Sequence, residues 1–363
     1  MRIGFLTGTS SRRRLLALSY KYALMRLRGV VYPDVYCVPL AFSQDVSFIR
    51  DGASLAGGTY DLVLSELNGS ETQLQMLWDA IAKGPAPVIV FPGPPTILME
   101  SLRNDPGGRK RALVGAIIRE ADALWVYADE VGRELTSTFG AARVMTIPWI
   151  FDVMATRRLA AGARSASKGK KRILLNAPLR FRGYTRNDAV LAATAEVWNQ
   201  LPPDLRARVE LHSFVYDRAD RQALHDSPVA RDLQIVLAGR RSYGAFVRFV
   251  AGCDAVVNVT VGAVLGRVTF IAAATGRPGL WSANAELNRR LYPGACVSIA
   301  EPAALTASFE QLILGVGNDR VAARFRPAEG EVLQVGDAPA NTQRLRQMAA
   351  EIVQNRTRLA AHR

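Results

Sequence analysis

Short apolar runs ending in turn residues recur along the chain, and stretches with helical spacing follow most of them. Residues 2–6 read as a buried first strand, and the turn TGTSS behind it offers several helix-capping side chains. A helix is expected over 12–28. YDLVLSELN (60–68) and APVIVFPGPP (86–95) each read as a strand closed by turn residues. ADALWVYADEVGRELTSTFG reads as strand, then helix, then a glycine stop at Gly140, and RVMTIPWIFD adds a short strand. Between 160 and 171 the pattern lapses: AAGARSASKGKK is small, polar and basic, the composition of a linker.

The alternation then restarts. RILLNAPL, RVELHSF, LQIVLAG and DAVVNVT read as strands; NDAVLAATAEVWNQL, SYGAFVRFVAGC and RVTFIAAATG read as helices, the last ending at Gly276. The tail NTQRLRQMAAEIVQNRTRLAAHR is helical to its end. Strands alternating with helices predict an α/β protein whose parallel sheets are covered on both faces. The expected division is an N-terminal Rossmann-like domain at 1–160, a linker at 161–170, a second Rossmann-like domain at 171–335, and a C-terminal helix at 336–363 packing back on the first. Two doubly wound domains facing a cleft would bind ligands at the carboxyl ends of their strands.

Composition narrows the chemistry. The chain has 363 residues, 49% of them hydrophobic and 21% charged, which suits globular domains with real cores. Its apolar runs stop well short of a membrane span, and a short apolar segment precedes the arginines of MRIGFLTGTSSRRR. A secretory signal has the opposite order, so no targeting peptide is expected. Cys37, Cys253 and Cys296 are too scattered for a metal site or a disulfide framework, which favours a reducing cytoplasm. Only His212, His225 and His362 supply imidazoles, little material for a Ser-His-Asp or zinc-histidine mechanism. A net charge of +14 fits anionic partners: nucleic acid, an anionic membrane face or phosphorylated substrates.

One stretch is more specific. LAGRRSYGAFVRFVAGCDAVVNVTVGAVLGRVTFIAAATGRP carries a strand ending in glycine, a helix leading to Cys253-Asp254, a further strand, a glycine-containing loop, and a helix ending in Gly-x-Pro. In that order these features resemble the carboxyl-terminal domain of GT-B fold glycosyltransferases, particularly the large family of bacterial mannosyl- and glucosyltransferases. ADALWVYADEVGRELTSTFGAARVMTIPWIFD is similar to that family's segment before its interdomain crossing. The resemblance implies transfer of a sugar from a nucleotide-diphosphate donor to a glycan or lipid-linked acceptor. The chain departs from the family at the acids. Two glutamates eight positions apart are replaced, aligned on Gly266 and Gly276, by Ala263 and Ile271. Neither side chain accepts a hydrogen bond from a hydroxyl.

The remaining donor candidates are backbone amides, cations and neutral polar groups. Gly262 and Gly266 bound a loop leading into a helix that starts near Val268, whose free N–H groups would form an anion site, with Arg267 adding charge. The same glycines would also serve simply to make the turn. The resemblance places Arg182, in LRFRGYTRND, where family members contact the diphosphate, with Arg180 two residues earlier. Asn258, Thr260 and Thr269 offer neutral hydrogen bonds, and Glu286 could stand in for a lost carboxylate.

Glu66, at a strand end, is the candidate general base for an inverting transfer, against the reading of a loop cap; Asp129 and Glu130 read better as a helix start. The Gly8–Thr9 turn could approach donor or acceptor. No Asp-x-Asp closes a strand, and DRAD (217–220) has the wrong spacing and reads as a loop, so no metal and no cofactor are expected. The helix end and the arginines would neutralise the leaving diphosphate.

The stretch before Asp34 carries Arg2, Arg12, Arg13, Arg14, Lys21, Arg26 and Arg28 and no acid. Interleaved with Leu, Tyr and Met at helical spacing, residues 12–28 suit a helix lying on an anionic bilayer, or a core-facing helix with solvated arginines. NDPGGRKRA (104–112) adds a basic loop. The expected setting is cytoplasmic, peripheral on the inner face of the membrane. Two other functions compete: a catalytically inactive sugar-nucleotide-binding protein of the same fold, and a nucleic-acid binder, disfavoured because no aromatic-basic platform is evident. A dehydrogenase is disfavoured because no Gly-x-Gly-x-x-Gly follows the first strand.

Overall fold

The computed structural model describes residues 1–6, 46–49, 52, 55, 58–67, 71–92, 98, 102, 105, 108–148, 151–163, 170–176, 187–215, 218–239, 241–260, 267–316 and 318–361. They form two compact units. One joins Met1–Asp152 to Val335–Arg363; the other is Val153–Gln334. The helix Val153–Ala160 belongs to the second unit, so the division falls ahead of the expected linker. Of that linker, 164–169 lie outside the described residues.

The first unit is built on six parallel strands: β1 (Ile3–Leu6), β2 (Val46–Ile49), β3 (Leu62–Glu66), β4 (Val88–Phe91), β5 (Ala123–Val126) and β6 (Val144–Thr146). Their order is β2-β1-β3-β4-β5-β6. The inner strands IGFL, VIVF and ALWV are buried at every position, as expected when both faces of a parallel sheet are covered. β2 and β6 lie at the edges and are more exposed. The helix Asp129–Phe139 opens with Asp129 and Glu130 in its first turn, where the helix dipole favours acids. It ends at Gly140, whose φ of 72° is open to glycine without steric cost.

The chain returns to this unit at its end. The helix Ala338–Ala361 buries Leu345, Met348 and Ala349. Arg356 Nη1 donates to both oxygens of Asp122, at 2.9 and 3.2 Å, and Nη2 donates to the Gly84 carbonyl at 3.1 Å. Asp122 in turn accepts the Val88 amide at 2.9 Å, so a single carboxylate joins the tail to the start of β4.

The second unit also has six parallel strands: β7 (Lys171–Leu175), β8 (Val209–Phe214), β9 (Val236–Ala238), β10 (Ala255–Asn258), β11 (Gly279–Ser282) and β12 (Cys296–Val297). The order β12-β11-β10-β7-β8-β9 is the doubly wound arrangement in which the chain builds outward from a central strand, then crosses back to build the other half. β11 had no expectation attached: GLWS follows Pro278 directly, and breaker residues there mask a strand that the structure buries completely. DRAD is not the expected loop. Arg218–Asp226 is a helix, and Asp220 is fully buried in it.

At the amino end of this sheet, Asp254 ties two strands together. Its Oδ2 accepts the Arg172 amide at 2.8 Å, while its own amide donates to the Arg172 carbonyl at 2.8 Å. The Cys253-Asp254 pair thereby has a structural account.

Two measurements test these units. Arg356→Ala should lower unfolding free energy by about 2 kcal/mol, because it strands a nearly buried carboxylate; an unchanged thermal midpoint would count against the clasp. Burial holds the His212 imidazole below its ordinary pKa of 6.5, opposed by a hydrogen bond to the Glu210 carboxylate at 3.4 Å and reinforced by Arg172 and Arg241. The folded state then binds fewer protons than the unfolded chain, so stability should fall as pH drops below about 6.5. His212→Phe should flatten that slope in melts between about pH 7.5 and 5.

Candidate functional site

In each sheet the strand order reverses once. The reversal lies between β1 and β3 in the first unit and between β7 and β10 in the second. Such a switch point, at the carboxyl ends of the strands, is where open parallel sheets take ligands.

In the second unit the switch point is spanned by neutral side chains. Asn176, directly after β7, donates its amide nitrogen to Asn258 Oδ1 at 2.9 Å. Asn258, the last residue of β10, donates to Thr269 Oγ1 at 3.1 Å. Thr269 is fully buried in the helix Arg267–Ala274. One chain of hydrogen bonds thus joins both strands to the first turn of that helix. One strand further on, the Thr260 amide donates to Ser282 Oγ at 2.6 Å, and Asn288 Nδ2 donates to the Ser282 carbonyl at 3.2 Å. Asn288 and Ser282 are each 1% exposed. Two acceptors in this band, Asn176 Oδ1 and Asn288 Oδ1, are buried without a hydrogen-bond partner among the described residues.

The helix Arg267–Ala274 is also fixed at its far end. Gly276 adopts φ 66°, which lets the Arg277 amide reach the Ala272 carbonyl at 2.8 Å and the Gly276 amide reach Ala273 at 3.1 Å. Arg157 Nε donates to the Ala274 carbonyl at 2.8 Å while its Nη2 pairs with Glu329 at 2.5 Å. A cation at a helix C-terminus complements the dipole. With both ends held, the orientation of the N-terminal amides is set by the sheet.

Val268 and Thr269 are buried within the helix, and Arg267 is exposed at its start. Asn258 and Thr269 take part in the hydrogen bonds that tie the helix to the sheet, and Thr260 in those that tie the end of β10 to β11. Glu286 opens the helix Glu286–Leu291 after β11 and is half-buried. Ile271, where the resemblance puts a glutamate, is fully buried. A carboxylate there would sit uncompensated in the core. Glu66 is the last residue of β3, half-buried, beside the reversal in the first sheet. Gly8, Thr9, Arg180, Arg182, Gly262, Ala263 and Gly266 lie outside the described residues.

Sequence reading missed Asn176, Ser282, Asn288 and Arg157. The first two were findable, since each is the polar residue that ends or follows a buried strand. Asn288 and Arg157 carried no such signal. Among the described residues no cluster of His, Cys, Asp or Glu is arranged to hold a metal ion. Desolvation pushes the buried Cys253 and the half-buried Cys296 thiols up to about 12, which disfavours the reactive thiolate. Amides and hydroxyls of this kind bind and orient. At neutral pH they carry no charge and move no proton.

No protein-family model matches the chain, and no curated protein matches it either. Solved structures do. The Anabaena protein HepE, in complex with UDP and glucose, matches with a TM-score of 0.64 at 15% identity, over 97% of this chain and 100% of that one. Sucrose-phosphate synthase from Thermosynechococcus elongatus matches with 0.63 at 14% identity, over 83% and 75%. A UDP-forming trehalose-phosphate synthase from Burkholderia xenovorans matches with 0.61 at 14%, over 89% and 80%. These likenesses bear out the expected fold, two Rossmann-like α/β domains of the GT-B type.

The hydrogen-bonded chain across the switch point makes a stability prediction. Asn258→Ala leaves the Asn176 amide and the Thr269 hydroxyl without their partner, and unfolding free energy should fall by about 2 kcal/mol. Denaturant titration reads this directly, and a midpoint equal to wild type would mean that the tether contributes nothing.

Proposed function

We propose that the chain is a glycosyltransferase. It moves a sugar from a nucleotide-diphosphate donor to a glycan or lipid-linked acceptor in polysaccharide or glycolipid biosynthesis. The observation that carries this reading is the likeness, over 97% of the chain, to a protein solved with UDP and glucose. A tethered helix at the strand switch point, where open parallel sheets take ligands, supports it.

In this reading the donor diphosphate sits against residues 261–266 and the start of Arg267–Ala274, where the helix dipole favours an anion. Arg182, with Arg180 and Arg267, supplies positive charge to the leaving diphosphate, so the chemistry needs no metal. Gly262 and Gly266 allow close backbone approach. Asn258, Thr260 and Thr269 hold that frame, and Glu286 takes over one contact of the missing acids. In an inverting transfer Glu66 accepts the proton of the acceptor hydroxyl, with Gly8 and Thr9 near the reacting groups. The basic stretch 12–28 brings the protein to an anionic membrane face where a lipid-linked acceptor would lie. Among the described residues no helix is long and apolar enough to cross a membrane.

Thermal-shift screening against UDP, GDP and dTDP should single out one nucleotide that raises the melting point. Arg182→Ala should weaken that nucleotide by about tenfold, and undiminished affinity would remove Arg182 from the site. Glu66→Gln should cut turnover by about a hundredfold while sparing donor affinity; full activity would exclude it as the base. Slow donor hydrolysis without acceptor separates a transferase from a protein that only binds the nucleotide.

A further inference from the structure

The amino-terminal edge of the second sheet holds a cavity that the donor reading does not use. Its volume is about 230 Å³, roughly eight times a water's share of the liquid. Lys171 opens β7, Asp254 precedes β10 and Arg277 precedes β11, so the cavity lies at the opposite strand ends from the switch-point asparagines. Arg326 completes the polar wall, while Leu312 and Val316 line an apolar side.

Lys171, Arg277 and Arg326 line the cavity with one carboxylate, and Asp254 is already engaged: Oδ2 accepts the Arg172 amide at 2.8 Å and Oδ1 lies 3.7 Å from Lys171 Nζ. Arg277 is half-buried, its Nε is buried without a hydrogen-bond partner, and its guanidinium makes no ion pair among the described residues. A partly desolvated guanidinium without counter-charge is costly, and a bound anion relieves that cost. Arginine with a neighbouring lysine suits a dianionic phosphate, by a fork and a point charge respectively. The apolar side accommodates a short carbon body.

We infer that this basal cavity is a second ligand site, which takes a small phosphomonoester with Arg277, Lys171 and Arg326 around the phosphate. It is separate from the donor site and does not depend on that site's function. The same headgroup occurs on soluble metabolites and on phosphatidate lipids, and the cavity's modest volume favours the soluble ester.

Calorimetric titration of the full chain with glycerol 3-phosphate tests this. One-to-one binding that persists in saturating UDP is expected. Arg277→Gln should weaken it at least about tenfold. Lys171→Gln alters only a half-exposed side chain and should weaken it too, which guards against a misfolded arginine variant. In parallel, phosphatidate vesicles are sedimented with wild type and with Arg277→Gln. Arginine-dependent vesicle binding without soluble binding would give the same chemistry a lipid source. Failure to bind glycerol 3-phosphate, inorganic phosphate and vesicles alike would overturn the inference, as would affinity unchanged in both variants or displacement by UDP.

Discussion

A parallel sheet cannot be built outward in both directions without one reversal, and everything at the candidate site depends on how that reversal is held. The strands β7 and β10 lie side by side, yet the next strand of the chain adds on one side of the pair after β7 and on the other after β10. The gap is bridged by amide and hydroxyl groups, from Asn176 through Asn258 to Thr269. Neutral bridges have an advantage over ionic ones here. They satisfy buried polar atoms without the desolvation cost of a charge, and they leave the helix dipole as the dominant local field. The same arrangement is compatible with an apolar residue at position 271. Ile271 packs in the core, and its helix is oriented from elsewhere.

Charge is distributed to match. The two ends of the second sheet differ in their polar groups: neutral amides and hydroxyls at the carboxyl end, and arginine and lysine at the amino end. Asp254 is the pivot of the latter. It spends one oxygen on the Arg172 amide and turns the other to Lys171, while Arg277 makes no ion pair among the described residues. A protein with a net charge of +14 need not present that excess as a uniform field.

Much of the fold was legible because central parallel strands are continuous apolar runs. ALWV, VIVF and RILL announce themselves, and Gly140 and Gly276 mark helix ends by a backbone geometry that only a few residue types adopt easily. Edge and breaker-flanked strands were harder. VSFI is half-exposed in β2, and GLWS hides behind Pro278. The site was legible at Asn258, Thr260 and Thr269 as polar residues near a strand end, but their use was not. Sequence presents them as donors to a ligand, whereas the fold turns them toward Asn176, Ser282 and each other. Such pairing joins residues far apart along the chain, and local pattern carries no record of it.

The return of the tail to the first unit has a consequence for biogenesis. Residues 153–334 form one uninterrupted unit, whereas the other unit lacks its helix Ala338–Ala361 until that later stretch is made. During synthesis Asp122 emerges long before Arg356. The earlier-made half must therefore wait, incompletely covered, while the later-made half can collapse on its own. Vectorial translation thus reverses the order in which the two units reach completion.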